Sequence, residues 1–261
     1  MGRHCPAMNV LALFAHPDDA EFLAAGTLAL LAARGAKVSI ATMTAGDCGT
    51  AVLPAPKIAR VRRREAASAA QLIGAEYFCL GEKDLEVFYD RRTLRKVTEI
   101  VRRTDPTLVF THSPVDYMLD HEMTSRLCQT ACFGAMAPNF ASGARRAAKA
   151  LRAVPHLYYS QPFGGRNILG KPVRASIFVN ISEAFELKAR MLSCHESQRA
   201  FLEAQQGIPD LLGMMRQMAR QAGAECGFEH AEGFCKHLGQ GFPQSNFLGE
   251  LLGDQVRRVE T

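Results

Sequence analysis

The stretch Asn9-Val10-Leu11-Ala12-Leu13-Phe14-Ala15-His16-Pro17-Asp18-Asp19 decides the fold. Its apolar run from Asn9 to Ala15 reads as a buried strand, and a helical pattern begins at once beyond it. In a parallel α/β sheet, sites form at the carboxyl ends of strands, so an imidazole and two carboxylates at this exit would point into a crevice. Pro17 cannot continue the ladder and fixes its own φ, which holds His16 and both carboxylates in a rigid turn. A His with a carboxylate suits zinc or iron(II), and the spare carboxylate is free to act as a base. The plainer reading is that Asp18 and Asp19 cap the next helix, since Asp favours a helix N-terminus.

Beyond this turn, Ala20 to Arg34 reads as a helix with Leu23, Thr27, Leu30 and Leu31 on one face, closed by Gly35. Lys37 to Met43 is a strand that runs into Thr44-Ala45-Gly46-Asp47-Cys48-Gly49-Thr50, a loop at the same sheet edge as His16. No G-x-G-x-x-G follows the first strand, so a dinucleotide site is poorly supported. A helix from about Lys57 to Ile73 places Glu65 on its apolar face, and Arg62, one turn earlier, is the candidate partner for that carboxylate. Ala75 to Leu80 is a third strand. Asp90 to Arg103 is an amphipathic helix whose arginines, Arg102 included, read as a mostly solvated face.

Thr107 to Thr111 is a fourth strand, and it exits through His112 into Asp116-Tyr117-Met118-Leu119-Asp120-His121. Asp120 is well placed as N-cap of a helix running through Cys132, which puts His121 in the first turn near the crevice. Pro138 to Val154 is a connecting segment with partial helical character. His156 to Ser160 and Ala175 to Asn180 are further strands, and a helix from Ser182 to Cys194 leads to His195-Glu196-Ser197-Gln198. This alternation specifies one Rossmann-like α/β domain over residues 1–261, its sheet mainly parallel with helices on both faces. The core spans about 9–198, and 199–261 is read as a helical, Gly-rich C-terminal extension.

The totals narrow the function. With 261 residues the chain can bury a full core without disulfides or a partner. No apolar stretch reaches the roughly 20 residues of a membrane span, and Met1 to Met8 lacks the apolar region of a signal peptide. Eight cysteines scattered through predicted elements favour free thiols in a reducing, cytoplasmic compartment. A net charge of +5 alongside 26 acidic residues, with no basic stripe interleaved with aromatics, argues against nucleic acid as a partner. In the tail, Cys226, His230, Cys235 and His237 have a spacing that fits no common zinc module.

Ala15-His16-Pro17-Asp18-Asp19, Asp120-His121 and the Gly46-Asp47 loop together resemble the zinc-dependent deacetylases of the PIG-L/LmbE-like family. That family includes N-acetylglucosaminyl-phosphatidylinositol de-N-acetylase and the enzymes of mycothiol and bacillithiol synthesis. Arg62-x-x-Glu65, His195-x-Ser197-Gln198 and Ala231-Glu232-Gly233-Phe234 resemble other segments of it. The resemblance implies one metal ion per chain, zinc or another divalent ion such as iron(II), held by His16, Asp19 and His121, with Asp18 as general base. It implies a small N-acetylated sugar-like substrate, hydrolysis to acetate and a free amine, and assembly as a homo-oligomer. Arg62, His112 and Asp47 are the candidate substrate contacts.

One departure stands out. Many members of the family carry His-Pro-Asp-His where this chain has Met118-Leu119-Asp120-His121. Met118 cannot donate the hydrogen bond that steadies a tetrahedral oxyanion. His112 and His195 are the candidate replacements, and His195 is also the candidate proton donor to the departing nitrogen. Two alternatives follow: a metal amidase acting on a non-sugar amide, and a member that binds zinc and sugar without turnover.

Overall fold

The run from Asn9 forms a strand in the middle of an eight-stranded sheet, with another strand on each side. A computed structural model describes residues 8–207 and 210–259. Met1 to Ala7, most of the segment read for a signal peptide, lie outside the described residues. The order is β1 (Asn9–Phe14), α1 (Asp19–Leu23), α2 (Ala25–Ala33), β2 (Lys37–Thr44), α3 (Ala55–Gln71), β3 (Glu76–Glu82), α4 (Arg91–Thr104), β4 (Leu108–Thr111) and α5 (Leu119–Gly134). It continues with β5 (His156–Ser160), β6 (Ile177–Asn180), α6 (Phe185–Ser193), α7 (Glu196–Gln206), α8 (Leu211–Cys226), β7 (Ala231–Lys236), α9 (Phe247–Leu252) and β8 (Val256–Arg258).

Ala12 lies beside Ile40 of β2 on one edge and Phe110 of β4 on the other, both in parallel register. Alternate residues of β1 serve two cores. Val10, Ala12 and Phe14 enter one with α2, α6 and α8, while Leu11 and Leu13 enter the other with α4 and α5. Burial on both faces explains why this strand is a continuous apolar run. The sheet runs β3-β2-β1-β4-β5, all parallel, then β7-β6-β8 with antiparallel pairings. Because the chain moves from β1 out to β3 and then returns as β4, the strand order reverses between β1 and β4. A crevice opens at the carboxyl ends of strands at such a switch point.

Within the segment read as a C-terminal extension, β7 inserts between β5 and β6 and β8 closes the edge, so its strands are part of the central sheet. The Ala231-Glu232-Gly233-Phe234 strand hides its pattern by burying a carboxylate. Pro138–Val154 contains no helix. It and the residues just before it are held by α4 instead: Arg102 donates to the carbonyls of Ala135, Ala137 and Phe140 at 3.0, 2.7 and 2.8 Å. Glu99 accepts from Ser142 Oγ at 2.6 Å and from the Ala148 amide at 3.1 Å. Arg102 is therefore buried rather than solvated. No described helix is long and apolar enough to cross a membrane.

The helix expected over Ala20–Arg34 breaks at Ala24, with φ −141°, and the amides opening α2 are capped from across the molecule. Glu232 accepts from Gly26 N at 2.9 Å, Thr27 N at 2.8 Å and Lys188 Nζ at 2.6 Å. Both charges are almost fully buried. Removing one member of such a pair strands the other. Glu232→Ala is predicted to lower unfolding free energy by about 3–5 kcal/mol in urea titrations. A loss under about 1 kcal/mol would show that the contact is dispensable.

Candidate active site

His16 and Asp19 leave the end of β1, and His121 opens α5 beyond the end of β4. Their ligand atoms lie within 4.8 Å of one another. His16 Nδ1 stands 3.3 Å from Asp19 Oδ2, and His121 Nε2 stands 3.6 Å from Asp19 Oδ1. Two ligands about 2.1 Å from a tetrahedral cation are about 3.4 Å apart, so these spacings fit a shared ion. The far nitrogen of each ring is held by a carboxylate: His16 Nε2 by Asp120 at 3.1 Å, His121 Nδ1 by Asp116 at 2.9 Å. That arrangement sets the tautomer and aims the free nitrogen inward, as outer partners of metal-binding histidines do. Burial alone would depress the His16 imidazole, yet hydrogen bonds to Asp120 and Asp19 raise it to about 10. The surrounding carboxylates thus call for positive charge here, and a divalent cation answers that need.

Asp18 stays outside the grouping. Its backbone has φ +98°, a left-handed conformation uncommon for a residue with a side chain, which the rigid Pro17 turn maintains. Burial pushes its carboxyl up to about 6, partly offset by the Arg62 guanidinium at 3.5 Å. Arg62 does not pair with Glu65, as the helical spacing predicted. It donates to the carbonyls of Pro17 at 2.7 Å and Gly46 at 3.4 Å. A Cβ at Gly46 or Gly49 would collide with its guanidinium, which accounts for the glycines in that loop. Glu65 instead accepts from Ser197 N at 2.9 Å and Ser197 Oγ at 2.6 Å, at the start of α7.

A cavity of about 370 Å³ opens over the triad, and Asp18, Arg62 and Tyr117 are among the residues facing it. The other candidate residues lie behind its wall. His112 is fully buried, stacked 3.9 Å from the His121 ring, and its Nε2 accepts the Ala15 amide at 3.0 Å. Burial, with the neighbouring His121, lowers it to about 4, which leaves it neutral. His195 is also fully buried, 3.4 Å from Glu21 Oε2, and that carboxylate outweighs burial to raise its pKa. Asp47 is tied to Lys83 Nζ at 2.7 Å and the Asp84 amide at 3.0 Å. Neither His112 nor His195 is among the described lining residues, although His112 Nε2 stands 3.1 Å from Asp19 Oδ2.

Sequence reasoning missed the roles of three residues. Asp120 does not cap α5, whose N-cap is Met118. It holds His16 and also accepts from Leu85 N at 2.7 Å. Asp116 had a legible signal, a carboxylate five residues before a candidate ligand His. Tyr117, next to Met118, stands edge-on to His121 with 5.3 Å between ring centroids. Burial, and then Asp19, Asp116 and Asp18, raise its phenol and keep it protonated. The tail residues Cys226, His230, Cys235 and His237 do not come together as a metal site among the described residues.

The sequence profile of the GlcNAc-PI de-N-acetylase family, PIG-L, matches residues 11–132, which include the triad, Asp18, Arg62 and Asp116. That match covers just under half of the chain, its N-terminal part, which therefore resembles the PIG-L family. Among its relatives, a 4-oxalmesaconate hydratase of Pseudomonas putida is 26% identical over 208 residues, 76% of this chain and 77% of that protein. A diacetylchitobiose deacetylase of Thermococcus kodakarensis is 27% identical, covering 73% of this chain and 70% of that one. The solved N,N'-diacetylchitobiose deacetylase of Pyrococcus horikoshii superposes with a TM-score of 0.73 at 25% identity, over 89% of this chain and 84% of that one. PIG-L deacetylases depend on a metal, and the His16–Asp19–His121 cluster of this chain could hold one.

Removing an outer carboxylate of this kind typically weakens metal binding about 10- to 100-fold. Asp116→Ala should show that loss in competition with a chelator while its circular dichroism stays native. Unchanged affinity would mean that Asp116 does not orient His121.

Proposed function

We propose that this protein is a zinc-dependent N-deacetylase of the PIG-L type that hydrolyses an N-acetyl group on an amino sugar or its conjugate. The observation that carries the reading is the unligated Asp18 carboxylate beside a triad of two imidazoles and one carboxylate, all facing one cavity. Three protein ligands leave a position open, the arrangement of catalytic rather than structural zinc. Zinc held there supplies Lewis acidity, polarising the amide carbonyl and lowering the pKa of water towards about 7.

The side chains do the rest. Asp18, raised to about 6 and anchored by Arg62, accepts the proton of the attacking water near neutral pH. The same proton passes to the departing nitrogen as the C–N bond breaks, so water and amide become acetate and a free amine. His195, buried against Glu21 and outside the described lining, acts on Asp18 through its charge and not by contact with the substrate. Tyr117 is the one hydroxyl among the described lining residues, and it is the side chain proposed to hydrogen-bond the developing oxyanion where Met118 cannot.

The similarity to a hydratase supports a second reading, addition of water to an unsaturated organic acid. The lining favours the amide instead. Arg62, the one Lys or Arg in the described lining, is already committed to two carbonyls and stands 3.5 Å from Asp18, so it is not a dedicated clamp for the carboxylates of such an acid.

The test is release of free amine from N-acetylated amino sugars by zinc-loaded protein, with parallel assay of unsaturated acids by loss of absorbance. Asp18→Asn is predicted to lower turnover about 10²- to 10⁴-fold with metal content unchanged. Wild-type rates in that variant, or water addition without amine release, would overturn the reading. Tyr117→Phe is predicted to reduce kcat about 10²- to 10³-fold with little change in KM. An unaltered kcat would remove Tyr117 from the oxyanion site.

A further inference from the structure

We propose that the substrate carries an extended, uncharged hydrocarbon group, seated on the cavity wall formed by Phe22, Phe163, Leu192, Phe201, Leu202 and Leu211. The inference rests on the deacetylase reading and deepens it by naming the class of amide. The cavity has two unlike ends. Polar groups gather at the triad, where Asp18, Asp19, Asp84 and His121 line the cavity, while Phe22, Phe163, Leu192, Phe201, Leu202 and Leu211 supply hydrocarbon and aromatic rings to the rest of the described lining. That wall is assembled from α1, the Phe163 turn, α6, α7 and α8, so five separate pieces of chain deliver apolar side chains to one surface.

A bare amino sugar does not match such a wall. It carries hydroxyls around the ring, and each one pressed against hydrocarbon without a partner costs about 1–3 kcal/mol. A short polar ligand would therefore satisfy the triad end and leave the other end wet. Phe22 and Phe163 pack with centroids 4.8 Å apart, and Tyr117 approaches Phe163 at 6.1 Å. These rings make the apolar surface continuous with the reacting end rather than a separate patch. The group is also uncharged, because none of these six wall residues carries a charge and Arg62, the one Lys or Arg in the described lining, is committed to the carbonyls of Pro17 and Gly46.

The rim carries an independent mark of the same ligand. Leu85 lines the cavity, is 66% exposed, and has φ +66°, a conformation that disfavours a side chain of its size. Its amide is held by Asp120, so the strained backbone is fixed by the same carboxylate that orients His16. The exposed Leu85 side chain gains burial when a hydrocarbon passes over it. A volume of about 370 Å³ lies within the usual range for small-ligand sites.

Two chemistries place hydrocarbon there, an N-acyl chain longer than acetyl or an alkyl aglycone, and two ligand series separate them. One is glucosamine acylated with acetyl, butanoyl, hexanoyl and octanoyl groups. The other is N-acetylglucosamine as methyl, butyl, hexyl and octyl glycosides. Affinity is measured by calorimetry on zinc-loaded Asp18→Asn, and amine release on the wild type. In one series Kd should tighten by up to about fourfold per added methylene until the wall is covered. The double variant Phe163→Ala/Phe201→Ala should flatten that slope. Less than a twofold change in Kd across both series, or a slope unaffected by the double variant, overturns the proposal. Amine release from the short N-acetyl compounds with flat Kd values would retire the hydrocarbon site and keep the deacetylase. Rising affinity with no amine from any compound would do the reverse.

Discussion

The hydrogen bond between His16 Nε2 and Asp120, 3.1 Å long and buried, is the contact on which the rest of the site depends. It joins the end of β1 to the first turn of α5, two segments 104 residues apart in the chain. The same carboxylate accepts the amides of Leu85 and Val87, so the loop after β3 is tied to the same point. Three loops from three strand ends thus converge on one side chain. Because that carboxylate fixes the outer nitrogen of His16, the inner nitrogen has one orientation left, towards Asp19. Asp116 does for His121 what Asp120 does for His16. Ligand geometry is therefore set before any ion arrives, which reduces the ordering that binding must impose.

Most of the sheet could be read in advance because its parallel strands are buried on both faces. Val10 to Phe14 needs no alternation to be recognised, and Lys37 to Thr44 repeats the pattern. What resisted reading lies where tertiary contacts override local pattern. Glu232 occupies a strand yet caps α2 from a distance, so its sequence looks like a loop. Arg102 looks like one more solvated arginine of α4 but supplies donors to a segment that lacks regular hydrogen bonds of its own. Both are charged residues whose partners lie dozens to hundreds of residues away, and no helical or strand periodicity encodes such a partner.

The site divides in the same way. His16, Asp18 and Asp19 are legible because a strand exit concentrates them, and His121 because it sits at a helix start after another strand. The roles of the buried residues are less so. His112 and His195 carry the right chemistry at the right strand and helix ends, but a ring's direction depends on what packs over it. Phe14 stands edge-on to His112 and the His121 ring is stacked on it, while Glu21 faces His195. The Arg62–Glu65 pair failed for a related reason. Residues one turn apart on a helix do meet, but Arg62 finds two carbonyls and Asp18, and Glu65 finds the amide end of α7.

Met118 then looks less like a loss than like a change of medium. A histidine at that point would add a donor and a titratable charge to a wall that otherwise grows more apolar away from the triad. A methionine instead offers polarisable, flexible contact that adapts to irregular apolar shapes. With Tyr117 beside it, edge-on to His121 and kept protonated, the proposed hydrogen-bond donor stands one residue away. The developing negative charge can still be met by a fixed hydroxyl and a cation, interactions that strengthen as the surroundings become drier. An apolar substrate group filling the far wall would exclude water from the same space. In that geometry binding energy gathered far from the amide acts on the amide, because it creates the low-dielectric setting in which the triad and Tyr117 work.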